Sequence, residues 1–155
     1  MPDEPLILSP DGERLVMVHP AVVERIKART EKEFSSREAG GIMLGAYRGK
    51  HIEIFGCTEP MKTDFRSRTL FDRKDPGHQA VASSAWKRSG GTDTFVGEWH
   101  THPEACPSPS WLDRTTWKFQ LKRLGLPMVF AIGGWEEIYW CFGERTRLQE
   151  MTSVP

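Results

Sequence analysis

The chain lacks an excess of charge of either sign. Its 155 residues hold 21 Lys and Arg against 21 Asp and Glu, a formal net charge of zero. A nucleic-acid partner or an acidic membrane surface selects for a basic excess, and there is none. Cysteine is scarce: Cys57, Cys106 and Cys141 are odd in number and far apart. That spacing argues against a disulfide framework and against a Cys-x-x-Cys zinc ribbon, and makes a reducing cytoplasm the simplest expected compartment. Long apolar runs are missing too; a run such as Met128 to Ile132 is far too short to cross a bilayer. The opening residues, Met1 to Pro5, carry neither a basic nor an apolar region, so no secretion signal is expected.

What is present is an ordinary globular composition, 38% hydrophobic and 27% charged. Its length suits one domain over residues 1–155 with a single core, and the polar stretch 143–155 reads as a flexible tail. Six tryptophans fall in periodic segments, so most are expected in the core and one or two on a partner surface.

Residues 14–18 read as a strand ended by His19-Pro20, and Pro20 suits the first turn of a helix. Val22, Val23, Ile26 and Phe34 among charges predict an amphipathic helix over 21–34, broken at Ser35-Ser36. Residues 41–47 and 51–57 read as a hairpin turning at Arg48-Gly49-Lys50. The stretch 58–75 has no clear period, although Thr69-Leu70-Phe71 would suit a strand. A helix is predicted over 76–88, a strand over 94–102, a Pro-rich loop, a helix over 110–124, and strands over 127–132 and 136–142. The irregular alternation implies an α/β fold: a mixed sheet with flanking helices.

The chemistry concentrates in Trp99-His100-Thr101-His102-Pro103 and Ser110-Trp111-Leu112-Asp113. Residues two apart on a strand share a face, so His100 and His102 can present both imidazoles to one point. Asp113, in the first turn of the following helix, can fold back beside them. Two imidazoles and a carboxylate form a catalytic zinc set with one position left open for water. Metal binding lowers the pKa of that water from about 15.7 to roughly 7. Glu38, just before Ala39-Gly40-Gly41, is the candidate general base, and Ser110 the candidate donor to a developing oxyanion.

Glu38, the Gly41 to Gly45 strand, His100-Thr101-His102-Pro103, seven residues and then Ser110 to Asp113 resemble the signature of the JAMM (MPN+) metallopeptidases. The resemblance spans roughly residues 14–142 in element order. It implies a single MPN domain, Zn2+ held by His100, His102 and Asp113, Glu38 as base and Ser110 as oxyanion donor. Ser67-Arg68, Phe71 to Asp75 and His78-Gln79 are further similar to the short prokaryotic JAMM peptidases of type II CBASS antiphage operons. That similarity implies a protein substrate with an extended C-terminal tail: a cGAS-like nucleotidyltransferase, or its conjugate made by an E1/E2-like partner. No nucleic acid and no membrane are implied.

Blander readings stand beside these. Ser-x-x-Asp resembles a capping box at a helix start, a role compatible with the catalytic one. Glu31 and Glu33 are weaker alternatives to Glu38, being farther from the glycine pair. Cys106 as a fourth ligand would close the site into a structural one, but its Pro-flanked loop favours an ordinary cysteine. His19, His51 and His78 lack partners at ligand spacing and read as structural. Arg66, Arg68 and Arg73 are either a solvated stretch or a holder of a substrate tail. A zinc nucleobase deaminase is disfavoured, because it needs His-x-Glu and Pro-Cys-x-x-Cys. The remaining alternatives are a peptidase trimming a ubiquitin-like sulfur carrier and a non-catalytic MPN scaffold.

Overall fold

The computed structural model describes residues 3–30 and 37–155. Its elements run β1 (Leu6–Ser9), β2 (Val16–Val18), α1 (Pro20–Ala28), β3 (Gly40–Arg48), β4 (His51–Cys57), β5 (Phe65–Arg66), β6 (Phe71–Asp72), α2 (Gly77–Arg88), β7 (Thr94–Thr101), α3 (Trp111–Leu124), β8 (Met128–Gly133), β9 (Ile138–Glu144), β10 (Arg147–Glu150) and β11 (Thr152–Ser153). Nine strands form one sheet in the order β10-β9-β8-β7-β3-β4-β2-β1-β11, while β5 and β6 pair separately.

The β3–β4 and β8–β9 pairs are antiparallel hairpins, as their turns predict. By contrast β7 and β8 are parallel. Parallel neighbours need a crossover, and α3 supplies it, which carries the start of α3 back over the end of β7. The sheet is covered on both faces. On one, Val22 and Ile26 of α1 pack with Trp99, Val129, Ala131 and Trp140. On the other, Trp117 and Leu121 of α3 pack with Met128, Phe130 and Ile132. Strand β8 is therefore buried throughout and reads as a continuous apolar run.

A register shift between β3 and β7 pairs Met43 with Gly97 and Leu44 with Phe95. The extra residue, Val96, packs on the α1 side with Trp99. The bulge thereby returns Phe95, Glu98 and His100 to the α3 side together.

Some expectations shift. Helix α1 stops at Ala28, where the Arg29 N–H donates to the Ile26 carbonyl and both the Thr30 N–H and its hydroxyl donate to the Lys27 carbonyl; residues 31–36 lie outside the described residues. The stretch 143–155, read as a tail, instead pairs as β10 on β9 and β11 on β1. Of the six tryptophans only Trp99, Trp117 and Trp140 are buried, and Trp86, Trp111 and Trp135 are exposed. Among the described residues no helix is long and apolar enough to cross a membrane.

Candidate active site

Strand β7 delivers His100 at its end, with Thr101 following and His102 just beyond. The His102 N–H donates to the Gly133 carbonyl at 3.0 Å, so the chain stays against β8 after the strand ends. The Pro-rich loop is then strapped to the β8–β9 turn: Glu104 O accepts from Trp135 N, and Ala105 O accepts from Glu136 N and Glu137 N. This fixed loop leads into Ser110, the N-cap of α3.

The helix start is held from two sides. Ser110 Oγ accepts from the Asp113 N–H at 3.0 Å, and Asp113 Oδ2 accepts from the Ser110 N–H at 2.8 Å, a complete capping box. One turn on, the Trp117 ring stacks on Phe130 with centroids 4.7 Å apart. Such a pair contributes about 0.5–1.5 kcal/mol beyond burial and fixes the rotation of α3 over β8. Asp113 then falls directly over the histidines. Its Oδ1 lies 3.1 Å from His100 Nε2 and its Oδ2 3.2 Å from His102 Nε2, and the two Nε2 atoms are 3.2 Å apart.

Glu38 reaches the same point from β3. Gly40 is registered opposite His100, the Ala39 N–H donates to Thr101 Oγ1, and Ala39 O accepts from the Thr101 N–H. A carboxylate oxygen of Glu38 and a ring nitrogen of each histidine lie within 4.8 Å of one another, a grouping able to hold a cation. Two imidazoles and a carboxylate from Asp113 converge more tightly, and that donor set suits a metal with an open position. Glu38 is only 7% exposed.

Electrostatics follow from this crowding. Burial pushes the Glu38 carboxyl up to about 7, against the pull of His100 and His102. Asp113 is held far below the usual carboxylate range by its hydrogen bonds to both histidines, which outweigh burial. The His102 imidazole is raised by Asp113, Glu38 and Glu104 despite its burial. A carboxyl poised near neutrality beside a polar cleft can take and return a proton. The cleft itself is about 290 Å³ and runs between α3 and the 58–75 insertion, with Ser110 on one wall and Phe71 on the other.

All five predicted residues, Glu38, His100, His102, Ser110 and Asp113, line that cleft. Cys106 does not: it is exposed, and its thiol faces Glu136 and Glu137, which push its pKa up to about 11. Glu31 and Glu33 lie outside the described residues. Of the three arginines, Arg66 is occupied within the fold, donating to the carbonyl of Glu38 at 2.9 Å. Arg68 lines the cleft, and Arg73 faces Glu98 at 3.4 Å.

Two supports were not legible in the sequence. Glu104 Oε2 lies 3.1 Å from His102 Nδ1, a carboxylate behind an imidazole that sets its tautomer. A buried relay ties the insertion down: Thr58 Oγ1 accepts from the Ile42 N–H and donates to His78 Nδ1 at 2.6 Å. His78 Nε2 then donates to Asp64 Oδ2 at 2.7 Å. Asp64 also accepts from the backbone N–H groups of Met61, Lys74 and Asp75, so one carboxylate gathers both ends of the insertion. Only proximity in sequence to the motifs could have hinted at either.

The fold and site together define a JAB-type metallopeptidase. Residues 19–146 match the family described as prokaryotic homologs of the JAB domain, and the chain belongs to that family. Among curated proteins it is similar to a CD-NTase/cGAS isopeptidase of Escherichia coli strain TW11681, 34% identical over 86% of this chain and 85% of that one. It is also similar to proteins of the same name from Vibrio cholerae, 36% identical over 76% of each chain, and from Pseudomonas aeruginosa, 41% identical over 69% and 68%. The solution structure of DSY2949 from Desulfitobacterium hafniense shares the fold, with a TM-score of 0.61, 18% identity and coverage of 87% and 88%.

Proposed function

We propose that this chain is a zinc isopeptidase that releases the C-terminus of a cGAS-like nucleotidyltransferase from the proteins to which it is conjugated, acting in the cytoplasm as part of antiphage defence. The observation that carries the chemistry is the convergence of His100 Nε2, His102 Nε2 and the Asp113 carboxylate beside a buried Glu38. The likeness to three proteins named CD-NTase/cGAS isopeptidase supports the substrate.

His100, His102 and Asp113 would hold the zinc, which when bound supplies Lewis acidity and a water ionised near neutral pH. The remaining steps belong to the chain. Glu38 takes the proton of the attacking water and returns it to the leaving lysine nitrogen, a double duty suited to a carboxyl poised near neutrality. Ser110 Oγ already accepts from the Asp113 N–H, so its own hydrogen is available to the oxyanion. Phe71 and the insertion wall the cleft opposite α3, where an extended tail is laid down and bulk water displaced.

The test joins a cGAS-like nucleotidyltransferase through its C-terminus to a lysine of a reporter protein. The purified chain should release the reporter, retain about one zinc per chain by mass spectrometry, and lose activity on chelation. Glu38→Gln should keep the metal and lose turnover. A chain that carries no metal and leaves the joint intact would make it a scaffold instead.

A further inference from the structure

Beside the His100, His102 and Asp113 cluster lies a second, smaller recess of about 140 Å³. Phe71, Glu98, His100 and Thr116 line both this recess and the main cleft, so the two adjoin. Glu98 precedes His100 by two residues on the same face of β7, and it is gripped from two directions. Gln120 Nε2 donates to Glu98 Oε1 at 2.6 Å. The Arg73 guanidinium stands 3.4 Å from Glu98 Oε2 and lies over the Phe95 ring.

This arrangement leaves two polar atoms over. Gln120 is 7% exposed. An ionised carboxylate only accepts hydrogen bonds, so the Gln120 amide nitrogen must face Glu98 and its oxygen must face away. That oxygen, Oε1, is buried and, among the described residues, has no hydrogen-bond partner; Arg73 Nη1, also buried, makes the 3.4 Å ion contact with Glu98 Oε2 but no hydrogen bond, which leaves an N–H for another acceptor. Both residues line the recess. Buried donors and acceptors are satisfied in the working state of a protein, and an orphan of each kind in one recess is satisfied by one group that both donates and accepts.

We infer that this recess is a specificity subsite that takes a neutral hydrogen-bonding side chain of the substrate, a hydroxyl or a carboxamide. Charge excludes an ion: the positive Arg73 is balanced by Glu98, and Asp72, which also lines the recess, by Lys74, so a buried charge on the ligand would go uncompensated. Size excludes a cofactor, because about 140 Å³ is well below the roughly 300 Å³ at which small-molecule pockets begin. The origin of the group rests on the isopeptidase reading. The leaving side of an isopeptide is a lysine stem with only methylenes next to the scissile bond. The polar side chain therefore comes from the acyl side, from one of the two residues preceding that bond.

The experiment uses peptide isopeptides identical except for Asn, Ser, Leu or Ala at the last or the next-to-last acyl residue. Wild-type kcat/KM should favour Asn or Ser over Leu or Ala at one position by about tenfold, the worth of one net hydrogen bond. Gln120→Met should erase that preference, bringing kcat/KM of the Asn or Ser peptide down to that of the Leu peptide. A flat wild-type panel at both positions overturns the subsite, and so does a Gln120→Met variant that slows all peptides equally, which marks a structural residue. If Gln120→Met does not fold, Arg73→Met and the wild-type panel decide. If no peptide is cleaved, the isopeptidase reading fails, and dissociation constants of the same peptides still report whether the recess prefers the polar side chain.

Discussion

Replacing Glu38 by Gln should make the metal-free protein more stable and the enzyme inactive. Burial raises this carboxyl from its ordinary 4.5 to about 7. The folded chain therefore keeps the Glu38 proton between those values while the unfolded chain has released it. The stability contributed by neutral Glu38 is full below pH 4.5 and is lost as pH rises through about 7. At about 1.36 kcal/mol per pKa unit, the cost of the buried carboxylate at pH 8 is roughly 3 kcal/mol. Gln keeps the shape without the charge and escapes that cost. Urea unfolding of chelator-treated protein should show no difference between the two at pH 4, and a gap that widens to roughly 3 kcal/mol by pH 8. For a chain of this size that corresponds to about 6–12 °C in Tm. Added zinc should narrow the gap, because a cation beside Glu38 favours its ionised form. Two curves that coincide from pH 5 to pH 8 would show a solvated carboxyl and refute the argument. A variant less stable than wild type would make Glu38 structural.

The observed capping role of Ser110 and its proposed role as oxyanion donor should separate in Ser110→Gly. Glycine caps nearly as well, costing a few tenths of a kcal/mol, so Tm should hardly move. Loss of the donor should lower kcat by about 10²–10³-fold, read with a conjugated substrate. His78→Leu should cost about 1–3 kcal/mol in urea unfolding, since it leaves the buried Thr58 hydroxyl hydrogen without an acceptor and removes one of the two hydrogen bonds on Asp64 Oδ2; an unchanged midpoint would show the relay to be idle. Gly97→Ala should be severe, because a Cβ there would collide with the Val129 backbone on β8; its soluble yield and Tm are the measures. Stripping the metal by chelation should lower Tm, and zinc at about a hundredfold excess over its Kd should restore roughly 2.7 kcal/mol.

Much of this was written in local sequence. The β3–β4 and β8–β9 hairpins follow from short apolar runs around turn residues, and α3 from Ser110 before a helical stretch ending at Gly125, which takes a φ of 68° at the C-cap. The histidine pair was legible because alternation along a strand is a local rule, and the cap at Ser110 because its hydrogen bonds span three residues. Helix α1 ends at Ala28 although the charge patterning continues, because at Arg29 and Thr30 the backbone N–H groups turn to carbonyls three residues back and the helical ladder stops. β1, β10 and β11 were missed for another reason: they are short, lie at the sheet margins, and are stabilised by a partner distant in the chain rather than by their own composition.

Sequence alone thus determined which chemical groups exist and in what order: two imidazoles on one strand face, a carboxylate at a helix start and a glutamate before a glycine pair. Only the tertiary structure decided how they meet. The parallel β7–β8 pairing forces α3 across the sheet, the Trp117–Phe130 stack sets its rotation, and β3 beside β7 brings Glu38 to the histidines. It alone paired Glu104 with His102, tied His78 to Asp64, and left Arg73 and Gln120 facing one recess. Apart from the neighbouring Glu104–His102 pair, those outcomes depend on contacts between residues more than about ten positions apart, where burial and hydrogen bonding are decided by the whole fold and no local period carries a trace of them.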